Sequence, residues 1–299
     1  MKAVISLLRP HQWLKNLFAF SPVFFDGRIL DINYVWPTTI IFMAFCMAAS
    51  GVYCFNDVHD VETDRIHPKK CHRPIASGAI SKSAGISLAI IMALLAFCIV
   101  GFTSWPSHCI RLALLVVIAC YVLMNIAYCL YLKQKPIVDV FVIAVGFVLR
   151  VFAGGLASGV SPSHWLILMT FLLALFLAFA KRRDDVVIFE TTGKIARRNI
   201  LRYNLSFMNQ VISILASILM VCYILYTVSS EVEERFNSQY VYVSSIFVLA
   251  GIIRYLQVTI VDVLSGSPTK VVLNDHFMQV CIVGWIISFI IVIYSHTLI

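Results

Sequence analysis

Residues 56–64 read Asn-Asp-Val-His-Asp-Val-Glu-Thr-Asp and follow a long apolar run. Asn56, Asp60 and Asp64 recur every four residues, so on a helix they share one face and span about 12 Å. Asp57 lies on the adjoining face. Carboxylates gathered at the end of an apolar helix repel one another and are costly to desolvate. A divalent cation between them relieves both costs. All-oxygen ligands suit Mg2+, which joins protein carboxylates to substrate phosphates. The other reading is a helix end that reaches solvent with its acids hydrated.

The chain continues Lys69-Lys70-Cys71-His72-Arg73-Pro74-Ile75-Ala76-Ser77-Gly78. Metal-holding acids followed by cations and a Pro/Gly turn meet the needs of a diphosphate. The metal neutralises part of its charge, and Lys or Arg bonds the remaining oxygens. Lys70 and Arg73 are the expected phosphate ligands, although basic residues here also serve membrane topology with no ligand at all. Further cations stand at Lys133 and Lys135, before Pro136, and at Lys181-Arg182-Arg183, before Asp184-Asp185. Asp139 and Arg150 are eleven residues apart, three turns along one apolar segment and close to one face. Charges at such depth face a cavity or pair with each other; a purely structural role is the alternative.

The elements that must carry these groups are apolar helices. The chain is 61% hydrophobic and 13% charged, against about 25% charged in soluble domains, and its mean hydropathy is +0.91. This is the composition of an all-α polytopic membrane protein. Runs of the length that crosses a bilayer fall at 14–30, 34–55, 83–103, 109–132, 137–159, 163–181, 206–228, 239–257 and 277–297. Nine spans in a single membrane domain, 1–299, are expected. The first span is the weakest, being interrupted by Pro22 and Asp26. No cleavable signal peptide is expected, since the first residues run into Arg9-Pro10 and Lys15.

With the N-terminus inside, 19 of the 23 basic residues fall on the cytoplasmic side. Only Arg28, Arg111 and Arg235 fall outside, and Arg150 stays within a span. The long polar segments 56–82, 182–205 and 258–276 then face the cytoplasm, so the chemistry is expected there, in a multi-pass membrane protein. The net charge of +8 follows from this bias and from contact with anionic headgroups, and it does not point to nucleic acid. The nine cysteines are scattered with no C-x-x-C pair and read as small buried apolar residues.

The order N-D-x-x-D-x-x-x-D, then R-P-I-x-x-G, on such a chain resembles the UbiA-type intramembrane prenyltransferase superfamily. The resemblance covers nearly the whole chain. It implies nine helices around a central cavity open to the membrane, and Mg2+ held on a substrate diphosphate by Asn56, Asp57, Asp60 and Asp64. One branch, the polyprenyl-phosphate phosphoribosyltransferases, is matched more closely. Its signature is similar to Leu8-Arg9-Pro10-His11-Gln12-Trp13-Leu14-Lys15-Asn16, to Tyr128-Cys129-Leu130-Tyr131-Leu132-Lys133 with Asp139, to Leu149-Arg150 before Ala153-Gly154-Gly155, to Lys181-Arg182, and to Arg254-Tyr255.

That branch implies phosphoribosyl pyrophosphate as donor and a polyprenyl phosphate as acceptor. Asp57, Asp60 and Asp64 would be catalytic, through the metal. Lys15, Asn56, Lys70, Arg73, Tyr128, Lys133, Lys135, Asp139, Arg150, Lys181, Arg182 and Arg254 would bind substrate. The wider family has acids after its sixth span, where this chain opens with three cations. Acids suit a second metal, whereas cations suit a phosphate that brings none. Two other readings remain: prenyl transfer from a polyprenyl diphosphate to an aromatic or other small acceptor, and a transporter or lipid-binding protein without catalysis. A homo-oligomer is compatible with all three.

Overall fold

The structure is a computed structural model that describes residues 2–66, 70–193, 198–263 and 268–294. These form helices, with no strand among the described residues: α1 (Lys2–Leu8), α2 (Ser21–Phe25), α3 (Ile32–His59), α4 (Val61–Arg65), α5 (Lys82–Phe102), α6 (His108–Leu130), α7 (Val138–Ser158), α8 (His164–Thr192), α9 (Leu205–Thr227), α10 (Ser230–Phe236), α11 (Ser245–Ile260), α12 (Pro268–Asn274) and α13 (His276–Tyr294). Short 3₁₀ helices join them, the longest being Pro10–Phe20.

Nine spans are expected, and among the described residues seven helical stretches are long and apolar enough to cross a membrane. They are α3, α5, α6, α7, α8, α9 and Gln239–Ile260, the last a 3₁₀ turn run into α11. The expected span at 14–30 is a 3₁₀ helix followed by the five residues of α2. Pro10 and Pro22 start these two pieces, and Gly27 at φ 75° ends them. The last expected span, 277–297, corresponds to α13 as far as Tyr294, and residues 295–297 lie outside the described residues.

Residues 181–185 stay helical beyond the expected sixth span. The sixth span is expected to end at Lys181, yet α8 continues without interruption to Thr192. Charged side chains do not stop a helix, and residues 164–192 contain neither Gly nor Pro. The stop comes at Gly193, at φ 68°.

The chain divides into two compact units, Met1–Ile167 and Leu168–Ile299. In the first, α3 packs along α5 and also meets α6, α7 and the Pro10–Phe20 segment. Ile41, Phe45, Ala48, Leu114, Ile118 and Ala153 are buried in its core. Gly154 lets the Pro10–Phe20 segment lie directly on α7, since a Cβ there would stand 1.8 Å from the Ala19 carbonyl oxygen. Helix α5 leaves Ile86, Ile90, Ile91, Leu94 and Leu95 exposed, a face suited to lipid. In the second unit α11 packs on α13 and α9. The Tyr223 hydroxyl accepts from Trp285 Nε1 at 2.7 Å and lies 2.7 Å from Ser244 Oγ. All nine cysteines are free thiols.

Candidate active site

Helix α3 ends at His59, and Asp60 is the joint to α4. The i to i−4 bonding survives the joint: Asp60 N donates to Asn56 O at 2.9 Å and Asp64 N to Asp60 O at 2.8 Å. The expected helical spacing is therefore kept although the helix is interrupted. Asp57 and Asp64 are buried, whereas Asn56 and Asp60 are partly exposed.

Each acid meets a cation. Arg9 Nη2 donates to both oxygens of Asp57, at 2.7 and 2.9 Å. Arg73 Nη1 lies between the two buried acids, 3.1 Å from Asp57 Oδ1 and 2.6 Å from Asp64 Oδ2. Lys133 Nζ donates to Asp60 Oδ1. Arg73 owes its position to the turn that follows it. Ser77 N closes on Arg73 O at 2.8 Å, and Ile80 N on Pro74 O at 3.0 Å. Ile75 is buried against Leu7, Cys54 and Val61. Gly78 supplies the positive φ, 80°, that the turn requires. A hydrogen bond from Lys82, at 2.7 Å, holds the Glu62 carboxyl below the usual carboxylate range and ties α4 to the start of α5.

The expected four-donor metal set is thus drawn together only in part. Among the described residues no three of the acids, histidines and cysteines stand together as metal ligands. The donor chemistry still fits a hard divalent cation: Asp57 and Asp64 offer oxygens to one common positive centre, at present the Arg73 nitrogen.

The other expected residues are spread. Lys70 lies in a 3₁₀ turn just before Arg73, and Lys69 lies outside the described residues. Tyr128 is half-buried near the end of α6, and Lys135 is exposed. Asp139 is fully buried in the first turn of α7, after Ile137 at φ 68°. Lys15 is half-buried on the Pro10–Phe20 segment. Arg150 does not meet Asp139. Its Nε donates to Asn16 Oδ1 at 2.7 Å, Nη1 to Gly146 O at 2.6 Å and Nη2 to the Tyr121 hydroxyl at 2.9 Å.

In the second unit Lys181 is exposed, and Arg182, 2% exposed, donates to Asp185 at 3.2 Å. Arg183 binds Asn209 Oδ1 and the carbonyls of Thr259 and Ile260, at 2.7, 2.7 and 3.3 Å. It therefore ties α8 to α9 and caps the end of α11. Arg254 Nε and Nη2 both reach Asp275 Oδ2, at 3.1 and 2.7 Å. The Arg254 hydrogen bond, with one from Met278 N, holds the Asp275 carboxyl below its ordinary range.

Sequence reasoning passed over Arg9, Asn16 and Tyr121 as individual site residues. Arg9 carried one signal. A residue before proline is pushed toward extended backbone, yet Arg9 sits at φ 53°, ψ 57°. Such strain is kept where the surroundings fix a side chain for use.

A buried acid pair is spanned by a guanidinium, with further cations beside it, at the end of a membrane-length helix in an all-helical fold. Residues 27–261 match the UbiA prenyltransferase family, and the chain belongs to that family. It is 32% identical over 297 residues to a decaprenyl-phosphate phosphoribosyltransferase of Mycolicibacterium smegmatis, covering 96% of this chain and 91% of the relative. It is 31% identical over 293 residues to the protein of the same name in Mycobacterium tuberculosis, covering 95% and 91%. Among solved structures, a UbiA homolog from Archaeoglobus fulgidus bound to GPP and Mg2+ superposes with a TM-score of 0.67 over 97% of this chain and 99% of that one, at 16% identity. That likeness is one of fold.

Proposed function

We propose that the protein transfers a 5-phosphoribosyl group from phosphoribosyl pyrophosphate to a polyprenyl phosphate of the decaprenyl type, releasing pyrophosphate. The observation that carries this reading is near-full-length identity of about one third with decaprenyl-phosphate phosphoribosyltransferases. The acid and cation pairing around Asp57, Asp60 and Asp64 supports it. The product would supply pentose for cell-envelope glycans, with the site on the cytoplasmic side of a bacterial inner membrane.

Asp57, Asp60 and Asp64, with Asn56 beside them, would hold Mg2+, which when bound supplies positive charge to the diphosphate. Arg73, Arg9, Lys133 and Lys70 are the donors available to its oxygens. Each of the first three would exchange a carboxylate for a phosphate oxygen of the same charge. The bond from ribose C1 to the diphosphate oxygen breaks, and an oxygen of the lipid phosphate forms the new bond to C1. That oxygen is already anionic, so no strong general base is required. Catalysis then rests on charge and alignment. Lys15, Lys135, Lys181 and Arg182 are the cations proposed for the ribose 5-phosphate and the lipid phosphate. Tyr128, Asp139 and Arg254 keep a proposed place in orienting those groups.

The test is purified protein with Mg2+, phosphoribosyl pyrophosphate and decaprenyl phosphate, with the lipid-linked sugar phosphate followed by mass spectrometry. Chelation should abolish product and added Mg2+ restore it. Asp60→Asn should lower turnover by about a hundredfold or more. Condensation of a polyprenyl diphosphate with an aromatic acid, and no use of phosphoribosyl pyrophosphate, would replace this reading by ordinary prenyl transfer.

A further inference from the structure

The side-chain contacts of Arg9, Trp13 and Asn16 run in order along one stripe of α3. Cys46, Ser50, Tyr53 and Asp57 are spaced four, three and four apart, one face of a helix. Their partners run the opposite way along the chain. Asn16 Nδ2 donates to Cys46 Sγ at 3.3 Å, and Trp13 Nε1 to Ser50 Oγ at 3.0 Å. Ser50 Oγ in turn donates to Leu8 O at 2.9 Å. The Arg9 guanidinium lies 5.1 Å from the centre of the Tyr53 ring, and its Nη2 holds Asp57.

Arg150 closes the far end of this strip through Asn16. It is 6% exposed, and its three engaged nitrogens all meet neutral acceptors. The rings of Phe45, Tyr121 and Phe147 stand 5.5, 4.8 and 5.4 Å from the guanidinium carbon. A buried charge without a carboxylate is costly, and a neutral side chain would fill the same space more cheaply. What a guanidinium adds is a rigid planar fork that fixes three partners at once.

Resting on the reading of Asp57 as part of the donor site, we infer that Arg150 is a positioning residue. Through Asn16 it sets the register of the Pro10–Phe20 segment on α3, and with it the seat of Arg9 on Asp57. It does not touch substrate.

The test uses the full chain in nanodiscs, as wild type, Asn16→Leu, Arg150→Lys and the double variant. Backbone hydrogen exchange is measured first, without substrate. Residues 11–20 should exchange faster in every variant, while α9 keeps wild-type protection as the control for folding. Binding of phosphoribosyl pyrophosphate with Mg2+ should weaken about tenfold or more, with KM for the lipid phosphate little changed. The double variant should lose no more than Arg150→Lys alone, because Asn16→Leu breaks a link that Arg150→Lys already breaks.

Wild-type exchange and donor affinity in Asn16→Leu beside a large loss in Arg150→Lys would make Arg150 a direct ligand and overturn the inference. Additive losses would overturn it too. If wild-type protein binds no phosphoribosyl pyrophosphate, the proposed function fails; the exchange data still decide the register, loss of protection in Asn16→Leu upholding it and unchanged protection refuting it.

Discussion

One nitrogen of Arg73 serves two acids that are almost wholly shielded from water, Asp57 at 1% and Asp64 at 4% side-chain exposure. Asp57 has Arg9 as a second partner, but Asp64 shows no other ion pair among the described residues. Removing Arg73 therefore strands the Asp64 charge, and breaking such a pair typically costs about 3–5 kcal/mol. Arg73→Met should lower the thermal unfolding midpoint in detergent markedly. Adding Asp64→Asn should recover much of that stability but no turnover. The pairing was only partly legible in the sequence. Spacings of four drew attention to Asn56, Asp60 and Asp64, yet seven residues return closer to the starting direction on a helix than four do, about 20° off against 40°. That is why Asp57 and Asp64 share a partner. Arg73 was legible because Pro74, Ile75 and Gly78 dictate a turn. Lys133 on Asp60 and Arg150 on Asn16 were not, because partners 73 and 134 residues apart leave no local pattern.

At the scale of elements, α5, α6, α7 and α9 lie within a few residues of the apolar runs that announced them. Two segments differ in local form from what their apolar runs alone suggest, and each has a local cause. A cluster of charge at 181–185 looks like the end of a span, but only Gly193 carries the backbone conformation that ends α8. The first apolar run holds two prolines, and hydrophobicity alone does not show that it folds as a 3₁₀ segment on α3 and α7. Its contact with α7 makes a prediction. Any Cβ at position 154 meets the Ala19 carbonyl at 1.8 Å, so the segment must move. Gly154→Ala should cost about 1–3 kcal/mol, the usual range for overpacking. It should also speed hydrogen exchange around Ala19, which mass spectrometry can read peptide by peptide.

For the whole molecule the distribution of charge makes the prediction. From the 19-to-3 division of basic residues we predict that the N-terminus and the Asp57–Arg73 region face the cytoplasm. Ser77 is exposed beside that region. In a cysteine-free background, Ser77→Cys should resist an impermeant thiol reagent in intact cells and react in inverted vesicles. Labelling of intact cells would reverse the orientation.

The 3₁₀ form of residues 10–20 acts as a ruler. The stretch of α3 from Cys46 to Asp57 is eleven residue steps, about 16.5 Å at α-helical rise. The facing stretch from Asn16 to Arg9 has only seven steps. As an α-helix it would cover about 10.5 Å, whereas at the 3₁₀ rise it covers about 14 Å, and the long Arg9 side chain closes the rest. A winding that is usually a minor irregularity here matches two unequal lengths of chain. Deleting one residue between Arg9 and Asn16 would therefore withdraw Arg9 from Asp57 while leaving every charge in the protein unaltered.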